Sequence, residues 1–127
     1  MTMFQAGRFE KAIALIKKAM RLSPYYPTWY LFYLAESYRM AGRYEEAIAT
    51  YNNKENLSRT RNPFLYHVGL VEVYMELGRE EKARAHAAEV LRLNPDFSLE
   101  YVRNFNFFKD PAHLERRLEA LRKAGLK

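Results

Sequence analysis

The chain has 127 residues, of which 49% are hydrophobic and 28% charged, so it can bury a core and is not a disordered segment. It contains no cysteine, which excludes disulfide scaffolds, cysteine-ligated metals and thiol chemistry. The net charge is +6, with 15 acidic residues interspersed among 21 basic ones. The longest apolar run, 29–35, is far shorter than the about 20 residues of a membrane span. With no recognisable secretory signal after Met1, we expect a single soluble, cytoplasmic domain.

One short pattern occurs three times along the chain, with the same residue types in several columns. Its three copies occupy residues 6–13, 41–48 and 77–84, and their glycines are 35 and 36 residues apart. The aligned positions are Gly7, Gly42 and Gly78, then Ala12, Ala47 and Ala83, and finally Pro24, Arg59 and Pro95. Agreement in independent columns predicts repeats of one supersecondary unit.

The first repeat, residues 1–26, is expected to be truncated. Only 1–4 remain of its first helix, and a second helix follows Gly7 and reaches the Leu22-Ser23-Pro24 ending. The apolar residues of that second helix then lack a neighbour on one side; they are Phe9, Ala12, Ile13 and Ile16. We therefore expect a homodimer that pairs these open N-terminal ends.

The second repeat, residues 27–61, has the pattern of a helix–turn–helix unit. Leu31, Leu34, Ala35 and Tyr38 follow the i, i+3, i+4, i+7 spacing of one helix face, and Gly42 should end that helix in a left-handed cap. The stripe of the second helix consists of Tyr44, Ala47, Ile48 and Tyr51. The pattern is lost at 52–55, which predicts that this helix ends early.

The third repeat, residues 62–97, has the same organisation, and a C-terminal segment, 98–127, follows it. The stripes of the repeat are His67, Leu70, Val71 and Tyr74, then, after Gly78, Ala83, Ala87 and Val90. In the C-terminal segment Ser98 can cap a short helix that reaches about Phe105. A last helix should start at Asp110-Pro111, bury Leu114, Leu118 and Leu121, and end at Gly125. We expect these two helices to cap the repeats.

The spacing of large apolar, glycine, aromatic, alanine and proline residues resembles that of tetratricopeptide repeat proteins over roughly residues 3–97. The resemblance implies an all-α, right-handed solenoid of about two and a half units with C-terminal capping helices. It also implies a non-catalytic module for protein–protein interaction. The departures are the truncated first repeat, Arg59 in the proline column, and Glu80 where Phe9 and Tyr44 stand in the other repeats.

The C-terminal segment has a resemblance of its own. Residues 91–100, 108–118 and 121–126 are similar to the C-terminal end of bacterial proteins that carry a class III adenylate/guanylate cyclase domain, or a winged-helix DNA-binding domain, ahead of tetratricopeptide repeats. This resemblance implies the regulatory region of such a protein. The alternative is a free-standing adaptor in an assembly or secretion system.

The residues offer little for catalysis or for a cofactor. The sequence lacks a Gly-rich phosphate loop, a nucleophile elbow and an HExxH motif. His86 and Glu89 have the spacing of two metal ligands, but no third ligand is evident, and His67 falls on an apolar stripe as a partly buried histidine would. We expect no catalytic residue, no metal and no cofactor.

The sequence also resembles the 35-residue pentatricopeptide RNA binders, but the basic residues fall mainly on second helices and the C-terminal segment. They are mixed there with acids at helical spacing, which is typical of a solvated face. The first helices carry Glu36, Glu72 and Glu76 against Arg39. We therefore do not expect nucleic-acid binding.

The candidate site is the face of each first helix opposite the apolar stripe. In tetratricopeptide proteins this face lines the groove that binds peptides or partner helices. Here its residues are Trp29, Phe32, Tyr33, Glu36, Arg39, Met40, Leu65, Val68, Glu72 and Met75. The aromatic and methionine side chains suit an apolar partner, and the acidic residues predict a neutral or basic protein or peptide. The alternative is that these side chains are buried within the chain.

Overall fold

The computed structural model describes residues 3–104 and 111–127, with side chains from Gly7 in the first range and from Leu114 in the second. These ranges contain eight α-helices and no β-strand. The helices are α1 (Met3–Leu22), α2 (Trp29–Met40), α3 (Tyr44–Tyr51), α4 (Lys54–Arg59), α5 (Pro63–Glu76), α6 (Glu80–Leu93), α7 (Leu99–Asn104) and α8 (Pro111–Lys123). The predicted all-α fold is confirmed. In the described ranges, none of these helices has the length and apolar character that crossing a bilayer requires.

The chain divides into two compact units, Met1–Tyr66 and His67–Lys127, and the division falls within α5. In the first unit α1 packs against α2, and α2 packs against α3. The predicted stripe of α2 is its buried side, since Leu31, Leu34, Ala35 and Tyr38 are all buried. Ala47 and Tyr51 of α3 are fully buried as well.

Glycine ends three of the helices in the left-handed conformation, two at repeat glycines and one in the C-terminal segment. Gly42, Gly78 and Gly125 have φ of 80°, 74° and 108°. After the first two, the next amide closes the helix end by donating backward, from Arg43 to the Tyr38 carbonyl and from Arg79 to the Tyr74 carbonyl. Both bonds are 2.8 Å long and have the pattern of a Schellman motif.

Gly7, the first member of the same column, does not end a helix. α1 continues through it from Met3 to Leu22, so the expected turn between a short first helix and a second helix is absent from this part of the chain. A helix tolerates one interior glycine at a cost of about 1 kcal/mol when nothing packs back to enforce a turn. Phe9 and Ile13 are 6% and 3% exposed. Two of the four apolar residues from which the homodimer is predicted are therefore already buried within the chain.

The helix that follows Gly42 ends early, as predicted. α3 stops at Tyr51, and after Asn52 and Asn53 the short helix α4 begins at Lys54. The Asn53 side-chain oxygen accepts a hydrogen bond of 2.9 Å from the Asn56 amide and so caps α4. The break thus replaces one long helix with two short ones.

The second unit contains the rest of α5 together with α6, α7 and α8. Leu70, Leu118, Leu121 and Leu126 are fully buried in it. The Leu99 amide donates a 3.0 Å hydrogen bond to the Lys127 carbonyl, which ties the end of the chain to the start of α7. α8 begins at Pro111 and buries two of its three predicted leucines, while Leu114 is partly exposed. Phe105 and Asp110 lie outside the described residues.

Candidate protein-interaction surface

The exposed side of α2 is aromatic. Trp29 is 54% exposed, and Tyr33, one turn later, is partly exposed. Their rings meet edge to face with centroids 5.2 Å apart, and Trp29 also contacts Tyr30 at 4.4 Å. Burial, with a smaller contribution from Glu36, raises the pKa of Tyr33, so its phenol stays neutral. These side chains form an exposed aromatic surface on α2.

Phe32 has a different role from Trp29, although their helical spacing predicts that the two share one face. Its ring lies between Tyr51 and Tyr66, with centroid distances of 6.5 and 5.3 Å. The Tyr66 hydroxyl in turn donates to the Thr28 carbonyl at 2.8 Å and accepts from the Asn56 side chain at 2.8 Å. Phe32 therefore belongs mainly to the packing that joins α2, α3 and α5.

Glu36 and Arg39 are buried and do not line an open groove. They form an ion pair of 2.5 Å, and the Tyr51 hydroxyl donates a 2.6 Å hydrogen bond to the other Glu36 oxygen. The helical spacing places both residues on the α2 face opposite the stripe, but α3 covers that part of the face. Met40, at the end of α2, is partly exposed.

The α5 part of the predicted face is also largely covered. Val68 is 4% exposed and Glu72 is 2% exposed, while Leu65 and Met75 are partly exposed. Glu72 is held in a buried ion pair by Arg117 of α8, which donates to both carboxylate oxygens. The expectation of a neutral or basic partner rests on the acids of the first helices, Glu36, Glu72 and Glu76. Glu36 and Glu72 are buried against internal cations, which removes most of that basis, while Glu76 is exposed and lies 3.8 Å from Arg116.

A shallow apolar pocket of about 380 Å³ extends the exposed aromatic side of α2 toward α1. We call it the aromatic pocket; it is lined by Leu15, Ile16, Ala19, Trp29, Tyr30 and Tyr33. Leu15 is 68% exposed. Sequence reasoning missed the α1 wall because Leu15 falls outside the stripe of the first repeat. An unexplained leucine beside that stripe was the available signal.

Basic side chains border the α1 wall of the aromatic pocket. Lys11 and Lys18 are exposed and lie one turn before and after Leu15. Glu10, the acidic residue of α1, is engaged elsewhere, in a 2.8 Å ion pair with Arg43. Lys17 is directed toward the Tyr38 ring, 5.4 Å from its centroid. The described rim of the pocket on α1 is thus positively charged.

The two histidines of the second unit form a stacked pair. Nδ1 of His67 and Nδ1 of His86 are 2.9 Å apart, and the ring of Tyr74 also stacks on His86, with centroids 5.5 Å apart. Burial lowers the pKa of both imidazoles. Glu89 is paired with Arg92 at 2.5 Å. Within the described residues, no cluster of three potential metal ligands occurs.

Two tetratricopeptide repeat models match the chain, one over residues 3–53 and one over residues 66–97. Together with the helix–turn–helix units and their glycine-closed turns, these matches show that the chain contains tetratricopeptide repeats. Such repeats are generally non-catalytic modules that bind proteins or peptides. No curated protein matches the sequence.

Proposed function

We propose that this chain is a non-catalytic module that binds a protein or peptide through the exposed aromatic side of α2. The observation that carries the proposal is Trp29, a large aromatic residue that is 54% exposed and lines an apolar pocket. Exposed tryptophans in apolar clefts are frequent hot spots of protein interfaces. Of the ten residues predicted for the site, the exposed Trp29 and the partly exposed Tyr33 and Met40 of α2 support it.

Alanine substitutions at Trp29 and Phe32 test this assignment, because the two rings should behave differently. Trp29→Ala should keep the melting temperature within a few degrees, since little of its packing is lost. Phe32→Ala should cost about 3 kcal/mol, because its ring packs against Tyr51 and Tyr66. Thermal melts by circular dichroism measure both. A large loss of stability in Trp29→Ala would mean that its ring is core packing.

Selection from a random peptide display library then tests binding itself. Peptides enriched on the wild-type chain should lose most of their binding to Trp29→Ala and keep it on Leu91→Ala. Leu91 is a matched control because it is a 40% exposed apolar residue on α6. Failure to enrich any peptide that distinguishes the wild type from Trp29→Ala would contradict the proposed function.

The proposal includes a cellular context, the cytoplasmic regulatory region of a larger bacterial cyclase-like protein or transcription regulator. Its support is the resemblance of residues 91–100, 108–118 and 121–126 to the C-terminal end of such proteins. Sequencing the gene upstream of Met1 tests it. An in-frame cyclase or winged-helix domain is the expected result, and a stop codon directly upstream would favour the free-standing adaptor.

A further inference from the structure

The repeat columns show which surface of α1 would normally be covered. In the second repeat, α2 packs against α3, and Ala47 and Tyr51 are both 0% exposed. The aligned residues of the third repeat, Ala83 and Ala87, are 0% and 3% exposed. Each of these second helices therefore buries the same two positions.

The first repeat differs at these positions. Ala12 and Ile16, which align with the buried pairs, are partly exposed, and Leu15 beside them is 68% exposed. The reason is that α1 runs straight through Gly7, so none of its described residues folds back over its own second half. The face that a first helix covers in the other repeats is open here, and the aromatic pocket is part of it.

The aromatic pocket lies between two helices, as a groove that receives a third helix does. The pocket is lined by one turn of α1, from Leu15 to Ala19, and by one turn of α2, from Trp29 to Tyr33. A third helix can lie in the groove between two packed helices, with side chains one turn apart inserting between theirs. An apolar stripe of i, i+3 and i+4 residues would meet Leu15, Ile16 and Trp29.

The basic residues beside the pocket favour a helix whose polar side is acidic. Arg8, Lys11 and Lys18 are exposed on the same side of α1 as Leu15, and within the described residues none of them forms an ion pair. An acidic residue on a docked helix would gain a partner there. A basic residue would be repelled.

We infer that the aromatic pocket binds an amphipathic α-helix whose apolar stripe is flanked by Asp or Glu, in the position that a first helix has beside the second helix of the other repeats. The inference rests on the proposed function and specifies its partner. A second copy of this chain is a poorer occupant, because a symmetric contact would bring the lysines of one α1 against those of the other.

A display library of amphipathic helices tests the inference on the full chain. Its apolar stripe is varied among Leu, Ile, Met and Phe, and the flanking positions are varied among Glu, Gln and Lys. Selection on the wild type should enrich Glu at the flanks. Selection on Lys11→Glu/Lys18→Glu should reverse the preference to Lys, whereas the equally charged control Lys54→Glu/Lys123→Glu should keep Glu.

Fluorescence polarisation of the best Glu-flanked peptide gives the second readout. Its dissociation constant should rise about tenfold or more on Trp29→Ala and on Leu15→Asp, and less than about twofold on Leu91→Asp. Circular dichroism confirms that each variant is folded. The constant should also rise with NaCl, since exposed ion pairs are screened.

The outcomes separate this inference from the proposed function. Enriched peptides that require Trp29 and yet show the same flanking residues on the wild type and on Lys11→Glu/Lys18→Glu would overturn the preference for an acidic helix. That result would still support a binding module. No enrichment over Trp29→Ala would overturn both. A micromolar dimer that Leu15→Asp dissociates, measured by sedimentation, would assign the pocket to a second copy and overturn the inference.

Discussion

At the scale of single residues, one column of the repeat pattern has two different backbone conformations. Gly78 has φ of 74° and closes a helix, whereas Gly7 lies within α1. A Cβ added at either position meets no atom within 4 Å. The backbone conformation alone therefore decides what a side chain costs at each of the two sites.

Alanine at these two glycines should change stability in opposite directions. Gly7→Ala should stabilise the protein by about 0.5–1 kcal/mol, because alanine restricts the unfolded chain and favours the helix. Gly78→Ala should destabilise it by about 1–2 kcal/mol, because alanine is strained in the left-handed region. Urea denaturation measures both variants. Equal destabilisation in both would indicate that α1 turns at Gly7.

At the scale of helices, a buried ion pair joins α5 to α8. Glu72 and Arg117 have side-chain exposures of 3% and 9%. Removing one partner of such a pair leaves the other charge buried, whereas replacing both with apolar residues removes the desolvation penalty as well. α8 thus contributes both a buried charge, Arg117, and the fully buried side chains of Leu118 and Leu121 to the second unit.

Glu72→Leu alone should destabilise the second unit by about 3–5 kcal/mol. The double variant Glu72→Leu/Arg117→Met should recover most of that loss. Arg116→Met is the matched control: its side chain is 71% exposed, 3.8 Å from Glu76, and the change should be within about 0.5 kcal/mol of the wild type. Thermal melts compare the three. A double variant as unstable as Glu72→Leu would show that the pair is not the cause.

The sequence predicted the repeated helices and their ends better than the roles of individual side chains. Periodicity locates the stripe of α2, and Gly42 and Gly78 mark turns because few other residues adopt their φ. Periodicity does not reveal which helix covers the opposite face, so the sequence alone predicts a groove position for Glu36 and Glu72. Their buried partners, Tyr51 and Arg117, are 15 and 45 residues away in the sequence. Such contacts depend on the tertiary arrangement.

At the scale of the whole molecule, stability should depend on pH through the stacked histidines. Burial lowers the pKa of both His67 and His86. Arg92 lowers the pKa of His67 further, and the His67 imidazole and Lys82 lower that of His86, while Glu89 opposes the change at both. Below the ordinary histidine pKa of about 6.5 the unfolded chain therefore binds more protons than the folded one. The contribution of the two neutral histidines to stability is therefore fully present above about pH 6.5 and is lost as the pH falls below that value.

The wild type should accordingly melt at a lower temperature at pH 5.5 than at pH 7.5. The double variant His67→Leu/His86→Phe should show a smaller difference, because neither position can then take up a proton. Leucine occupies the aligned position of the second repeat, Leu31, and phenylalanine can keep the stacking on Tyr74. If the melting temperature of this variant changed with pH as much as that of the wild type, other titratable groups would be the cause.

The position of Trp29 has a spectroscopic consequence. The sequence contains a single tryptophan, and it stands on the wall of the aromatic pocket, with about half of its surface in water. Its emission therefore reports on one place in the molecule. A ligand that fills the pocket should move the emission to shorter wavelength, and unfolding should move it to longer wavelength. Occupancy and loss of structure can thus be followed by one unlabelled optical signal.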